Sequence, residues 1–267
     1  MARYSAALDA ASGPRHYPRR SVNLLLVEAA ELAGDATVTL RDRRAVHVRT
    51  VLGAVVGSQL RAGVIGGGIG RAEVVADDGT AVTLRLAVAE PAPPPLPIEL
   101  VLAIPRPKVL SRVIEAAAAF GVARIELTNA WRVDKSYLRS PRLEPEALAL
   151  AARLGAEQGA TTQLPAIAIH RRLMALLEGR WSAPLAPPAL KLIAHPGAPP
   201  IERVVTGAPS PVCLAIGPEG GWIDRELETF VARGFVKVSL GAPILRVETA
   251  VAAALGQLLV LRRLGEA

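Results

Sequence analysis

The chain has one cysteine, Cys213. That excludes an internal disulfide and any cysteine-based zinc site, and it fits a reducing compartment. Cys213 lies between Val212 and Leu214 on an apolar run, which marks a buried thiol rather than a nucleophile. There is no Gly-Lys-Ser/Thr phosphate loop, no His-Glu-x-x-His pair and no His/Asp cluster with metal spacing. Nucleotide hydrolysis and metal catalysis therefore lack their signatures, and no metal site is expected. No uninterrupted apolar stretch approaches the roughly 20 residues that cross a bilayer, although mean hydropathy is +0.33. A soluble, cytoplasmic protein with no membrane partner is expected. Residues 1–22 carry Arg3, Arg15, Arg19 and Arg20 without the apolar segment of a secretory signal, and read as a mobile extension.

Aromatic residues are scarce too, at 3%, so the core must be built from Ala, Val, Leu and Ile, which suits a parallel sheet covered by helices. Lysine is rarer still. Of 31 basic residues only Lys108, Lys135, Lys191 and Lys237 are lysines, and the rest are arginines. GC-rich coding DNA enriches arginine, but it does not explain a net charge of +7. Arginine pairs bidentately with phosphate and stacks on bases, so the balance favours a nucleic-acid partner.

From residue 23 the pattern is of short β elements over 24–27, 38–40, 59–64, 71–75 and 81–88, with one short helix over 43–52. This half (23–89) reads as a small β barrel. The run Gly66-Gly67-Gly68-Ile69-Gly70-Arg71 has Arg where a dinucleotide fingerprint needs its third glycine, so it is a hairpin turn. Residues 90–97 hold five prolines and read as a linker unable to form helix or central strand. Beyond it (98–267) strands over 98–103, 124–127, 166–169, 189–194, 212–216 and 236–240 alternate with helices over 109–120, 145–155, 171–178, 225–233 and 249–264. Such interleaving implies a parallel α/β sheet.

Three loops in the second half follow apolar strands. Ile216-Gly217-Pro218-Glu219-Gly220-Gly221 lets backbone approach a ligand, and Asp224 sits where a helix N-cap belongs. With Glu226 and Glu228 the helix start is already acidic, which disfavours a phosphate there. Leu240-Gly241-Ala242-Pro243-Ile244-Leu245-Arg246 leads to Glu248 and Thr249; Arg246 suits an anionic group, and a structural Arg-Glu pair or Thr cap is the plainer alternative. His195-Pro196-Gly197 is the third, where backbone rather than imidazole is the expected contact. In the first half, Arg43, Arg44, His47 and Arg49 form a basic segment that reads as an RNA-facing patch or a solvated helix face.

Together these residues resemble the RsmE family of 16S rRNA uracil-N3 methyltransferases, in the SPOUT class. Its pattern of Ile-Gly-Pro-Glu-Gly-Gly, then Leu-Gly-x-x-Ile-Leu-Arg-x-Glu-Thr-Ala, matches residues 216–221 and 240–250, and His195-Pro196 fits its first cofactor loop. The resemblance implies a PUA-like RNA-binding barrel followed by an α/β domain with a trefoil knot, a homodimer, and S-adenosylmethionine as cofactor. Carried over by position, the cofactor-binding residues are His195, Pro196, Gly197, Ile216, Gly217, Pro218, Glu219, Gly220, Gly221, Leu240, Gly241, Ile244, Leu245 and Arg246. Arg246 becomes the residue that stabilises developing charge on the base, with Glu248 and Thr249 positioning it, and Arg132 joins the RNA-binding set. The implied partner is 16S rRNA or the small ribosomal subunit. A related enzyme acting at another RNA site, or an RNA-binding module without catalysis, would share much of this pattern. The chain departs from the family at Ala116, in the stretch 115–122 where members often carry a Lys and a Glu before Leu-Gly-Val, at Thr161, where Glu-Gln is usually followed closely by Arg, and at Pro243, where Arg is common.

Overall fold

The computed structural model describes residues 24–180, 190–208 and 210–266; the expected extension over 1–22 lies outside them. The first half contains β1 (Leu25–Val27), β2 (Thr37–Leu40), α1 (Arg43–Thr50), β3 (Gln59–Val64), β4 (Ile69–Asp77) and β5 (Val82–Glu90). They form one sheet in the order β1-β3-β4-β5-β2, antiparallel except for the parallel pair β1 and β3. No pairing joins β1 to β2 among the described residues, so the expected barrel is a curled half-barrel. Its concave side is filled by Val38, Leu40, Val74, Val82 and Leu84, with Ala45 and Val48 of α1 closing it. The β3–β4 hairpin turns at Gly66 to Gly68 as expected, and Gly70 has a further reason to be glycine. A Cβ there would stand 1.9 Å from the Ala87 carbonyl oxygen of the neighbouring strand.

The second half contains β6 (Leu96–Ala103), α2 (Pro107–Ala119), β7 (Val122–Thr128), α3 (Pro145–Gly159), β8 (Ala166–His170), α4 (Leu173–Arg180), β9 (Leu190–Ala194), α5 (Ile201–Val204), β10 (Val212–Ile216), α6 (Asp224–Ala232), β11 (Val236–Val238) and α7 (Val247–Glu266). All six strands are parallel, in the order β11-β9-β10-β6-β7-β8. The central strand β10 is buried along its whole length, as expected of a parallel strand covered on both faces.

The proline-rich stretch corrects one boundary. The expected linker over 90–97 is shorter, because β5 runs through Glu90 and β6 begins at Leu96. Pro97 is tolerated in a central strand because the β6–β7 register shifts between Leu96 and Glu99, and pairing with β10 starts only at Ile98.

The two halves are joined by specific contacts. Leu24 and Leu26 pack with Ile69 and Ala156. The Leu24 amide donates to the Glu157 carbonyl at 2.9 Å, and the Gly66 amide to the Thr162 carbonyl at 2.8 Å. Arg43 of α1 reaches Glu157 of α3 at 3.0 Å, and Arg153 pairs with Glu28. Within the second half, α3 presses its glycines onto α2: a Cβ at Gly155 would lie 2.1 Å from the Glu115 carbonyl oxygen.

Candidate functional site

In a parallel sheet every strand ends on the same edge, so strand order decides which loops meet. The order β11-β9-β10 makes the loops after these three strands immediate neighbours, and the edge beyond the carboxyl ends of strands is where such sheets bind ligands. The loops are tied to one another by backbone. The His195 amide donates to the Val238 carbonyl at 2.9 Å, Ser239 N–H to the Pro199 carbonyl at 2.8 Å, and Ile201 N–H to the Ser239 carbonyl at 3.0 Å. From α7, the Gln257 carboxamide donates to the Leu240 carbonyl at 2.9 Å and fixes the third loop from beneath.

Between the loops lies a cleft of about 570 Å³, within the usual range for a small-molecule site. His195, Pro196, Ile216, Gly217, Pro218, Glu219, Gly220, Gly221, Leu240, Gly241, Ile244, Leu245 and Arg246 all line it. The thirteen were named from sequence, and sheet order brings them together. Gly197 does not line the cleft; at φ +76° it turns the loop beside it. Glu248 is half-buried and Thr249 exposed, neither lines the cleft, and neither bonds Arg246 among the described residues. The helix turns about 100° per residue and carries them off the cleft face. The Arg246 guanidinium is exposed, with no hydrogen bond or ion pair among the described residues.

One wall of the cleft is Trp222, 5% exposed and held edge-on against Phe230 with ring centroids 5.0 Å apart. Gly217 lies against this indole: a Cβ there would meet Trp222 Nε1 at 3.1 Å. That Nε1 is buried without a partner among the described residues, a donor left over beside the cleft. Two acidic residues serve structure. The Glu219 carboxylate accepts from the Arg106 amide at 2.9 Å, at the start of α2, where the helix dipole favours an anion. Asp224 is not the cap of α6; Glu226 takes that part, accepting from the Ile223 amide at 3.0 Å and the Trp131 amide at 2.8 Å.

Sequence reasoning gave no role to Trp222 or Gln257 and did not place the β7–α3 turn at the cleft, because these positions depend on distant partners. Arg132 was expected on RNA. It lines the cleft and donates to the Gly220 carbonyl at 2.6 Å.

The basic segment of α1 divides. Arg44 is 5% exposed, and its guanidinium is consumed by Glu31, Asp42 and the Leu26 carbonyl. The Glu31 hydrogen bond raises its already high pKa further. Arg44 is therefore a buried brace, not an exposed RNA contact. Arg43 and Arg49 reach the surface at 37% and 23% exposure, paired with Glu157 and Asp77. His47 is half-buried beside them. Among the described residues no helix is long and apolar enough to cross a membrane.

A family model described as an RNA methyltransferase domain matches residues 92–259. The ribosomal RNA small subunit methyltransferases E of Treponema pallidum and Synechocystis are each 30% identical over 87% of this chain, spanning 89% and 76% of their own lengths. Among solved structures, a Legionella pneumophila methyltransferase with bound S-adenosylmethionine superposes with a TM-score of 0.72 at 27% identity, covering 89% of this chain and 98% of that one. The Neisseria gonorrhoeae methyltransferase E bound to S-adenosylmethionine has the same fold, with a TM-score of 0.71 at 20% identity, covering 90% of this chain and 98% of that one. The match over most of its length, joined to the fold and the loop-built cleft, means that the chain belongs to the RNA methyltransferase family, among the ribosomal RNA small subunit methyltransferases E.

Proposed function

We propose that this protein transfers a methyl group from S-adenosylmethionine to N3 of a uridine in 16S ribosomal RNA, in the cytoplasm. The observation that carries the reading is the convergence of three separate loops on one cleft of about 570 Å³. The residues present fit the cofactor. Glycines expose backbone at Gly217, Gly220, Gly221 and Gly241, and the buried Trp222 Nε1 supplies an unused donor. The cleft residues named above other than Arg246 would hold it, chiefly through backbone groups. When bound, S-adenosylmethionine supplies an electrophilic methyl group on sulfonium.

Uracil N3 carries a weakly acidic proton, so transfer needs the base anion stabilised or the proton removed. The Arg246 guanidinium, at the rim of the cleft and free of partners among the described residues, is suited to hold negative charge on the base oxygens. Glu248 and Thr249 lie outside the cleft; we assign Glu248 to the first turn of α7, where an acid complements the helix dipole. We assign backbone contacts with RNA to Arg43, His47 and Arg49. We also read the chain as a knotted homodimer. The loop-to-loop hydrogen bonds at Val238 and Ser239 support close threading, and Val260 and Leu264 of α7 leave apolar surface 44% and 70% exposed.

Calorimetry with S-adenosylmethionine tests the reading first: saturable binding by the intact protein is expected. No binding would overturn it.

A further inference from the structure

Trp131 is 80% exposed, and it is the one exposed aromatic among the described residues. Its surroundings hold it there. Ala130 and Val133 are buried in the core at 6% each, and the Val133 amide closes a turn on the Ala130 carbonyl at 3.1 Å. Trp131 and Arg132 are the two tip residues of that turn. Both are pinned at the cleft: the Trp131 amide donates to Glu226 in the first turn of α6 at 2.8 Å, and the Arg132 guanidinium to the Gly220 carbonyl of the glycine loop at 2.6 Å. β7, which leads into the turn, is two strands from β10, and these two hydrogen bonds bring the turn back beside the glycine loop at the mouth of the cleft.

The turn also opens a basic stretch. Arg132, Lys135, Arg139 and Arg142 are all exposed between residues 131 and 142, against one acid, Asp134. Arg106 and Lys108, exposed at the start of α2, continue the positive charge beside Glu219. An aromatic face set on a cationic track is the arrangement that binds single-stranded nucleic acid, bases on the ring and phosphates on the cations.

We propose that Trp131 is a stacking platform for an unpaired base of the RNA substrate at the mouth of the cleft, with Arg132 to Arg142 following the backbone. The inference rests on the RNA-methyltransferase reading and deepens it by naming a residue that holds the substrate. Trp131 is a positioning residue: it touches RNA beside the reacting base and takes no part in methyl transfer.

The test compares Trp131→Ala, Trp131→Phe and Trp131→Leu in the full-length protein, using a fluorescent single-stranded fragment of 16S rRNA and calorimetry with S-adenosylmethionine. One stacked base corresponds to a loss of about 5- to 150-fold in RNA affinity. Trp131→Ala is expected to lose that much, with cofactor affinity and melting temperature unchanged. Trp131→Phe should recover most of the loss and Trp131→Leu little. Unchanged RNA affinity in Trp131→Ala, or equal rescue by Leu and Phe, would overturn the proposal. So would a change of mass by light scattering, which would place a second copy of the chain on the indole. If the wild-type protein bound neither the RNA nor the cofactor, the functional reading would fall first.

Discussion

Replacing Arg44 with Met separates a structural arginine from an RNA-binding one. The side chain is 5% exposed. Its Nη1 donates to the Leu26 carbonyl at 3.1 Å and to Glu31 at 2.8 Å, its Nη2 to Glu31 at 2.5 Å, and its Nε to Asp42 at 3.0 Å. Methionine fills most of the volume and removes every donor. The loss of a hydrogen bond to the Leu26 carbonyl costs about 1 kcal/mol. Glu31 and Asp42 are 33% and 53% exposed, so water takes back both carboxylates. Each pair then contributes about 1 kcal/mol rather than the 3–5 kcal/mol of a fully buried one. The sum, about 3 kcal/mol, corresponds to a fall in Tm of about 6–12 °C for a chain of this size.

The loss carries a pH signature. The Arg44 hydrogen bond holds the Glu31 carboxyl below its ordinary value of 4.5, so the folded state binds fewer protons than the unfolded one. The stabilisation is complete above about pH 4.5 and is lost as pH falls through the lower folded-state value. The gap between wild type and Arg44→Met should therefore shrink in acid. Scanning calorimetry at pH 7 and at pH 3–4 reads both effects, and RNA affinity against salt supplies the control. A Tm change below about 2 °C, with a salt slope reduced by about one, would refute the reasoning and return Arg44 to the RNA interface.

Gly217→Ala pushes a methyl group to 3.1 Å from an indole already braced against Phe230. The cofactor cleft should narrow and S-adenosylmethionine affinity fall about tenfold, an overpacking cost of 1–2 kcal/mol, read by calorimetry. Gly155→Ala drives a Cβ to 2.1 Å from the Glu115 carbonyl oxygen of α2. Urea unfolding should show a loss of about 2–3 kcal/mol with the cleft intact at low denaturant. Arg246→Ala should lower kcat at least a hundredfold while S-adenosylmethionine Kd changes less than threefold. An equal loss in both would make Arg246 a cofactor-binding residue.

The loop-built cleft was legible in the sequence because its determinants are local. Glycine and proline at residues 217–221 and 241–243 define loop shape without reference to distant partners, and buried strands such as β10 announce themselves as apolar runs. What escaped depends on the sheet order. Arg132 reaches Gly220 only because β7 and β10 flank β6, and nothing within ten residues of Arg132 signals that neighbour. Arg44 escaped because exposure on a basic helix is decided by one rotation about its axis, which points Arg44 at Glu31 and leaves Arg43 at the surface. Pro97 misled for a different reason: its missing donor falls where the strand pairing already slips.

The central claim is methylation of a ribosomal uridine, and mass spectrometry of 16S rRNA measures it directly. Small subunits from a strain lacking the gene should gain one methyl group on a uridine base when incubated with the purified protein and S-adenosylmethionine, and fragmentation should place it at N3. RNA that stays unmethylated, or a methyl group found on ribose or on another base, would contradict the account.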